Sequence, residues 1–86
     1  MLVLSRSPGQ SVIFGDYLVE LVKFLPHVVS LRVIHNSGTS FYSLKCNGVI
    51  KLTHNMRIIV TRIQSTKVRL GFEAPENITI LRSELA

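Results

Sequence analysis

Apolar and polar residues alternate along most of this chain, and the alternation is cleanest near its C-terminus. From Lys67 to Glu73, Val68, Leu70 and Phe72 fall on one face, while Lys67, Arg69 and Glu73 fall on the other. That period of two marks a strand with one buried face. Met56, Ile58 and Val60 repeat it one strand earlier. Turn-forming residues punctuate the chain at Pro8-Gly9, Gly15-Asp16, Pro26-His27, Asn36-Ser37-Gly38, Asn47-Gly48, His54-Asn55, Gln64-Ser65-Thr66 and Pro75-Glu76. Asn47-Gly48 reads as the strongest hairpin, because both residues accept the positive φ that a two-residue type I′ turn needs. The pattern predicts about nine short strands and no linker or low-complexity segment.

One stretch is ambiguous. Leu18, Leu21, Val22 and Leu25 recur at helical spacing, yet Val19, Phe24 and the flanking turns suit a strand. Periodicity does not arbitrate such a short apolar run. Pro26 and the β-rich segment from Val28 to Ile34 favour a hairpin, and hence a strand, over a helix.

Composition narrows the class. Eighty-six residues, 47% of them hydrophobic, suffice for one small domain spanning 1–86 and exclude disorder. No apolar run reaches the roughly 18 residues that cross a bilayer, and Met1 leads straight into a strand pattern without a secretory leader. A cytoplasmic protein with no membrane partner is the expectation. Cys46 is the single cysteine, so an internal disulfide is ruled out and its simplest role is a small apolar strand residue. Ten Lys and Arg against five Asp and Glu leave a net charge of +5, which attracts polyanions but is spread without a basic run.

No catalytic constellation emerges, and enzyme activity is not expected. Asp16 sits in a Gly-Asp turn, and Glu20, Glu73, Glu76 and Glu84 show no spacing that would pair an acid with a base. His27, His35 and His54 have no neighbouring ligands at metal spacing, and the five glycines form no phosphate-binding loop. Neither a metal nor a cofactor is implied.

The chain's two ends carry a more specific signal. Met1-Leu2-Val3-Leu4-Ser5-Arg6-Ser7-Pro8-Gly9-Gln10, followed by Ser11-Val12-Ile13-Phe14-Gly15-Asp16, opens it; Val68-Arg69-Leu70-Gly71-Phe72-Glu73-Ala74-Pro75-Glu76-Asn77-Ile78-Thr79-Ile80-Leu81-Arg82 nearly closes it. Together they resemble the carbon storage regulator family (CsrA/RsmA), small five-stranded bacterial proteins that bind messenger RNA and control its translation. The resemblance implies an all-β, mainly antiparallel CsrA-like barrel or sandwich. Some family variants carry a helical insertion where Tyr17 to Leu25 lies, which keeps the helical reading open.

This chain is longer than the family's usual one, and the additional residues between Asp16 and Met56 look like a second copy. A shift of 38 lays Ser11-Val12-Ile13-Phe14 over Val49-Ile50-Lys51-Leu52 and Leu18 to Val22 over Met56 to Val60. A shift of 37 brings Leu31-Arg32-Val33 onto Val68-Arg69-Leu70. Turn placement and alternation carry this repeat, since identity between the halves is very low. An incomplete copy at 1–38 would supply strands one to four. A complete copy at 39–86 would supply all five, with Ser40 to Cys46 as its diverged first strand. Such a chain would be a single-chain equivalent of the family's intertwined dimer, favouring a monomer over a homodimer.

In the family, the first strand of one subunit lies beside the fifth strand of the other, and a GGA-containing RNA loop is held where they meet. Strand edges suit that task, because unpaired backbone groups read the edges of splayed bases while arginines neutralise phosphate and stack. Matched residue by residue, the first strand would contribute Leu4, Ser5 and Arg6, and the fifth Ile80, Leu81 and, at the family's key RNA-contacting position, Arg82. Ala74-Pro75 matches the loop before that strand. Ser7 stands where a second basic residue is usual. The implied function is post-transcriptional regulation through single-stranded or hairpin RNA, with regulatory small RNA as a further partner. The alternative is a degenerate member that serves as a protein-interaction module or antagonist partner. Phe41 and Tyr42 read more simply as strand packing than as a base-stacking platform.

Overall fold

The computed structural model describes residues 1–86 as nine strands and one 3-10 turn. The strands are β1 (Leu2–Arg6), β2 (Ser11–Phe14), β3 (Tyr17–Leu25), β4 (Val28–His35), β5 (Gly38–Leu44), β6 (Val49–Thr53), β7 (Met56–Ile63), β8 (Val68–Glu73) and β9 (Ile80–Arg82). The turn η1 (Ser83–Leu85) follows β9. Two antiparallel sheets face each other, one ordered β1-β8-β7-β6 and the other β5-β4-β3-β2-β9. Each sheet thus takes an edge strand from the far end of the chain, and the two are interlocked as well as stacked. The expected all-β antiparallel architecture is the one observed.

Alternation explains what lies between the sheets. Val12 and Phe14, Val19 and Leu21, and Val29, Leu31 and Val33 face inward from one sheet; Ile50, then Met56, Ile58 and Val60, then Val68, Leu70 and Phe72 face inward from the other. The Phe14 and Phe72 rings meet edge to face at 5.1 Å, joining the sheets at their centre.

Tyr17–Leu25 is a strand, and a β-bulge accounts for its mixed pattern. Its pairing with β4 shifts between Leu21 and Lys23, so Val22 is an extra residue that moves the next core contact from position 23 to Phe24. A two-residue rhythm interrupted once by a three-residue step looks helical over a short window. β7 has a similar shift between Val60 and Arg62.

Asn47-Gly48 does not close a hairpin. β5 pairs with β4 and β6 with β7, so this turn carries the chain from one sheet to the other. The Gly48 N–H donates to the Lys45 carbonyl at 2.8 Å, and Asn47, at φ 70°, is the residue that takes the left-handed conformation. Asn47 is therefore third in a four-residue turn, the position where type II turns require positive φ. Tight two-residue hairpins occur instead at Gly15-Asp16, Pro26-His27, Asn36-Ser37 and His54-Asn55. The Asn36-Ser37 turn starts β5 at Gly38, earlier than Ser40. In that strand Tyr42 packs against the core, whereas Phe41 is 72% exposed, unlike the packed residue expected.

Candidate nucleic-acid interface

β1 ends one sheet and β9 ends the other, and the Arg6–Glu84 ion pair ties the end of β1 to the turn after β9. Arg6 lies opposite Val68 on β8, in phase with Leu4 and with the buried face, so its side chain enters the space between the sheets. It is 3% exposed. Nε donates to the Ser5 carbonyl at 2.7 Å, and Nη1 donates to the Ser11 carbonyl at 3.1 Å. The remaining donors grip Glu84 on both carboxylate oxygens, at 2.7 and 2.9 Å. This planar two-point match satisfies a guanidinium that would be costly to bury unpaired. Beside it the Ser83 hydroxyl donates to the Ser11 carbonyl at 3.0 Å and lies 2.6 Å from the Ser11 hydroxyl.

The Glu84 carboxyl is held down at about 2, against an ordinary 4.5. The hydrogen bonds from Arg6 contribute most, followed by one from its own backbone N–H; desolvation opposes them, and the charges of Arg6 and Arg82 add to the lowering.

Arg82 is different. It pairs with Val12 across the β2–β9 ladder, is exposed, and forms no ion pair. It is a free cation at the end of a strand whose outer edge has no neighbour. Ile80, opposite Phe14, turns inward and packs on the core, while Leu81, opposite Ile13, turns outward. Ala74 also packs on the core, and Pro75 starts the turn into β9 by accepting the Ile78 N–H at 3.1 Å. The Gly15 N–H then donates to the Thr79 carbonyl at 2.8 Å and seats the strand. On the β1 side Leu4 packs on the core, Ser5 is half-buried, and the Ser7 N–H donates to Gln10 Oε1 at 2.8 Å.

The sequence-based expectation therefore divides. Arg82 stands free, as a phosphate- or base-contacting residue must, whereas Arg6 is occupied within the protein. Glu84, Ser11 and Ser83 were missed. One signal was available: an arginine in phase with Leu2 and Leu4 on the apolar face of a strand needs a carboxylate partner. Nothing in the spacing pointed to Glu84.

The model of the CsrA global regulator protein family matches residues 43–86, half of the chain. The chain belongs to this family. Translational regulator CsrA of Helicobacter pylori is 51% identical over 43 residues, covering 50% of this chain and 57% of the relative. Translational regulator CsrA of Borrelia hermsii is 44% identical over 43 residues, covering 50% and 55%. The chain spans about half the length of the curated relatives it matches. No solved structure matches it. The CsrA match contains Ala74, Pro75, Ile80, Leu81, Arg82 and Glu84; Leu4, Ser5, Arg6 and Ser7 precede it.

Proposed function

We propose that this chain is a post-transcriptional regulator that holds single-stranded or hairpin RNA with a GGA element along the β1–β9 edge. The observation that carries the reading is the contrast between two arginines. Arg6 is buried and saturated by Glu84, while Arg82 is exposed and without an ion-pair partner. Arg6 then acts as a positioning residue: its grip on Glu84 fixes η1 and with it the direction of Arg82. Arg82 supplies the charge and stacking surface for RNA, and the unpaired backbone of the two edge strands supplies donors and acceptors for base edges. The name translational regulator, carried by the relatives, supports this use of the site.

We also propose that one chain does the work of two, through copies at 1–38 and 39–86. The strand orders support this. β8-β7-β6 and β4-β3-β2 have the same internal arrangement, and each is flanked by strands from the other half of the chain. The flanks are unequal, because β9 lies beside β2 and nothing lies beside β6. One RNA site per chain follows. Titration of a labelled GGA hairpin into the parent and the Arg82→Ala variant tests the function; a folded variant that binds as tightly as the parent removes Arg82 from the site.

A further inference from the structure

The outer edge of β6 is an unfilled strand position. Under the 38-residue shift, Ile50, Lys51 and Leu52 of β6 correspond to Val12, Ile13 and Phe14 of β2. In β2 those three residues pair with Arg82, Leu81 and Ile80 of β9. β6 has β7 on one side and no strand on the other. The Val60 N–H donates to the Gly48 carbonyl at 3.0 Å, so alternation along the β6–β7 ladder turns the Lys51 N–H and C=O toward the open side. An open groove of about 330 Å³ runs alongside, between the β6 edge and the start of β5, lined by Tyr17, Val33, His35, Tyr42, Lys51 and Leu52.

The side chains at this edge suit a different occupant from the one proposed for the β1–β9 edge. Arg6 lies opposite Val68, and Tyr42 lies opposite Leu31, the residue that corresponds to Val68 under the 37-residue shift. Where one edge has a buried arginine gripping a carboxylate, the other has a half-buried tyrosine packed on the core. The groove beside it is lined by both apolar and polar side chains, Tyr42 and Leu52 together with Ser37, Thr39, Ser40 and Lys51, and the unpaired main-chain groups lie on β6 itself. An extended polypeptide satisfies those main-chain groups through a strand ladder, as β9 does at β2.

We infer that the β6 edge is a docking site for an extended segment of another protein, with the apolar alternation of Ile78-Thr79-Ile80-Leu81, which adds antiparallel to Ile50–Leu52. The choice of occupant rests on the proposed internal repeat, because such a segment already fills the equivalent position at β2. β9 itself is held there by its own chain at high effective concentration and does not leave for β6.

A capped synthetic peptide of residues 77–82, titrated into the ¹⁵N-labelled full chain, tests this. Saturable shifts should appear at Val49–Thr53 and Tyr42, with slowed exchange of the Lys51 amide. The same peptide N-methylated at the position of Leu81 cannot donate to the ladder and should bind at least about tenfold more weakly. Shifts confined to Ser11–Phe14, no shifts at millimolar peptide, or equal binding of the methylated peptide would overturn the inference. So would a GGA hairpin that perturbs Val49–Thr53, or self-association of the free chain through that strand. Unchanged hairpin binding in folded Arg82→Ala would instead contradict the proposed function and leave the peptide result readable on its own.

Discussion

Arg6 and Glu84, 78 residues apart in sequence, form a two-point ion pair that ties β1 of one sheet to the turn following β9 of the other. It links the first strand to the segment after the last, and it sits beside the exposed Arg82. Replacing Glu84 with Gln weakens this grip on a buried guanidinium. The expected result is a lower melting temperature, together with weaker hairpin binding, although residue 84 touches no RNA in this account. Arg6→Ala should act in the same direction on both. Unchanged hairpin affinity in folded Glu84→Gln would show that the pair does not position Arg82.

Acid should reveal the same contact. The folded-state carboxyl of Glu84 lies at about 2 and its ordinary value is 4.5. A lowered acid group contributes stability that is fully present above its unfolded value and is lost as pH falls through the folded one. Urea midpoints should therefore fall between about pH 5 and pH 2. In Glu84→Gln that fall should be shallower, and an identical acid profile would remove the pair from the explanation.

Arg82→Ala should weaken binding to a GGA hairpin by about 1–3 kcal/mol, the range for one lost stacking or bidentate base contact. Its thermal stability should change little, because the side chain is exposed and unpaired. Raising salt should suppress binding to scrambled RNA more than binding to the GGA loop, since the former depends mainly on counterion release.

Phe14→Ala removes one ring of the contact that joins the two sheets, at a position with no solvent exposure. A loss of about 3–5 kcal/mol is expected in chemical denaturation, a large part of the stability of a small domain. Losses below about 1 kcal/mol would mean that the sheets are not packed through this pair.

Asn47→Gly should leave stability nearly unchanged, because glycine adopts the observed φ of 70° without strain. Asn47→Val should lose about 1–2 kcal/mol, since a β-branched side chain resists that conformation. Equal stability of the two variants would contradict the left-handed turn between β5 and β6.

The strands with an unbroken rhythm were readable from sequence, and β8 is the clearest because Val68, Leu70 and Phe72 meet the core with no bulge between them. β3 was ambiguous for a physical reason: the bulge at Val22 inserts one residue into a two-residue rhythm. Asn47-Gly48 showed that the backbone turns but not which sheet receives the next strand. That depends on β4 and β7 competing for β5 and β6, which a local dipeptide does not encode. In the candidate site, resemblance singled out both Arg82 and Arg6. The burial of Arg6 was not legible, because it follows from interlocked sheets that bring Glu84 to it across the whole chain.

Light scattering of the free protein and of its complex with a GGA hairpin decides whether a single chain forms the RNA site. A monomer is expected in both states, with one chain bound to one RNA. A compact dimer holding two hairpins, each shared between chains, would contradict it and make the segment between Asp16 and Met56 an insertion on a two-chain assembly.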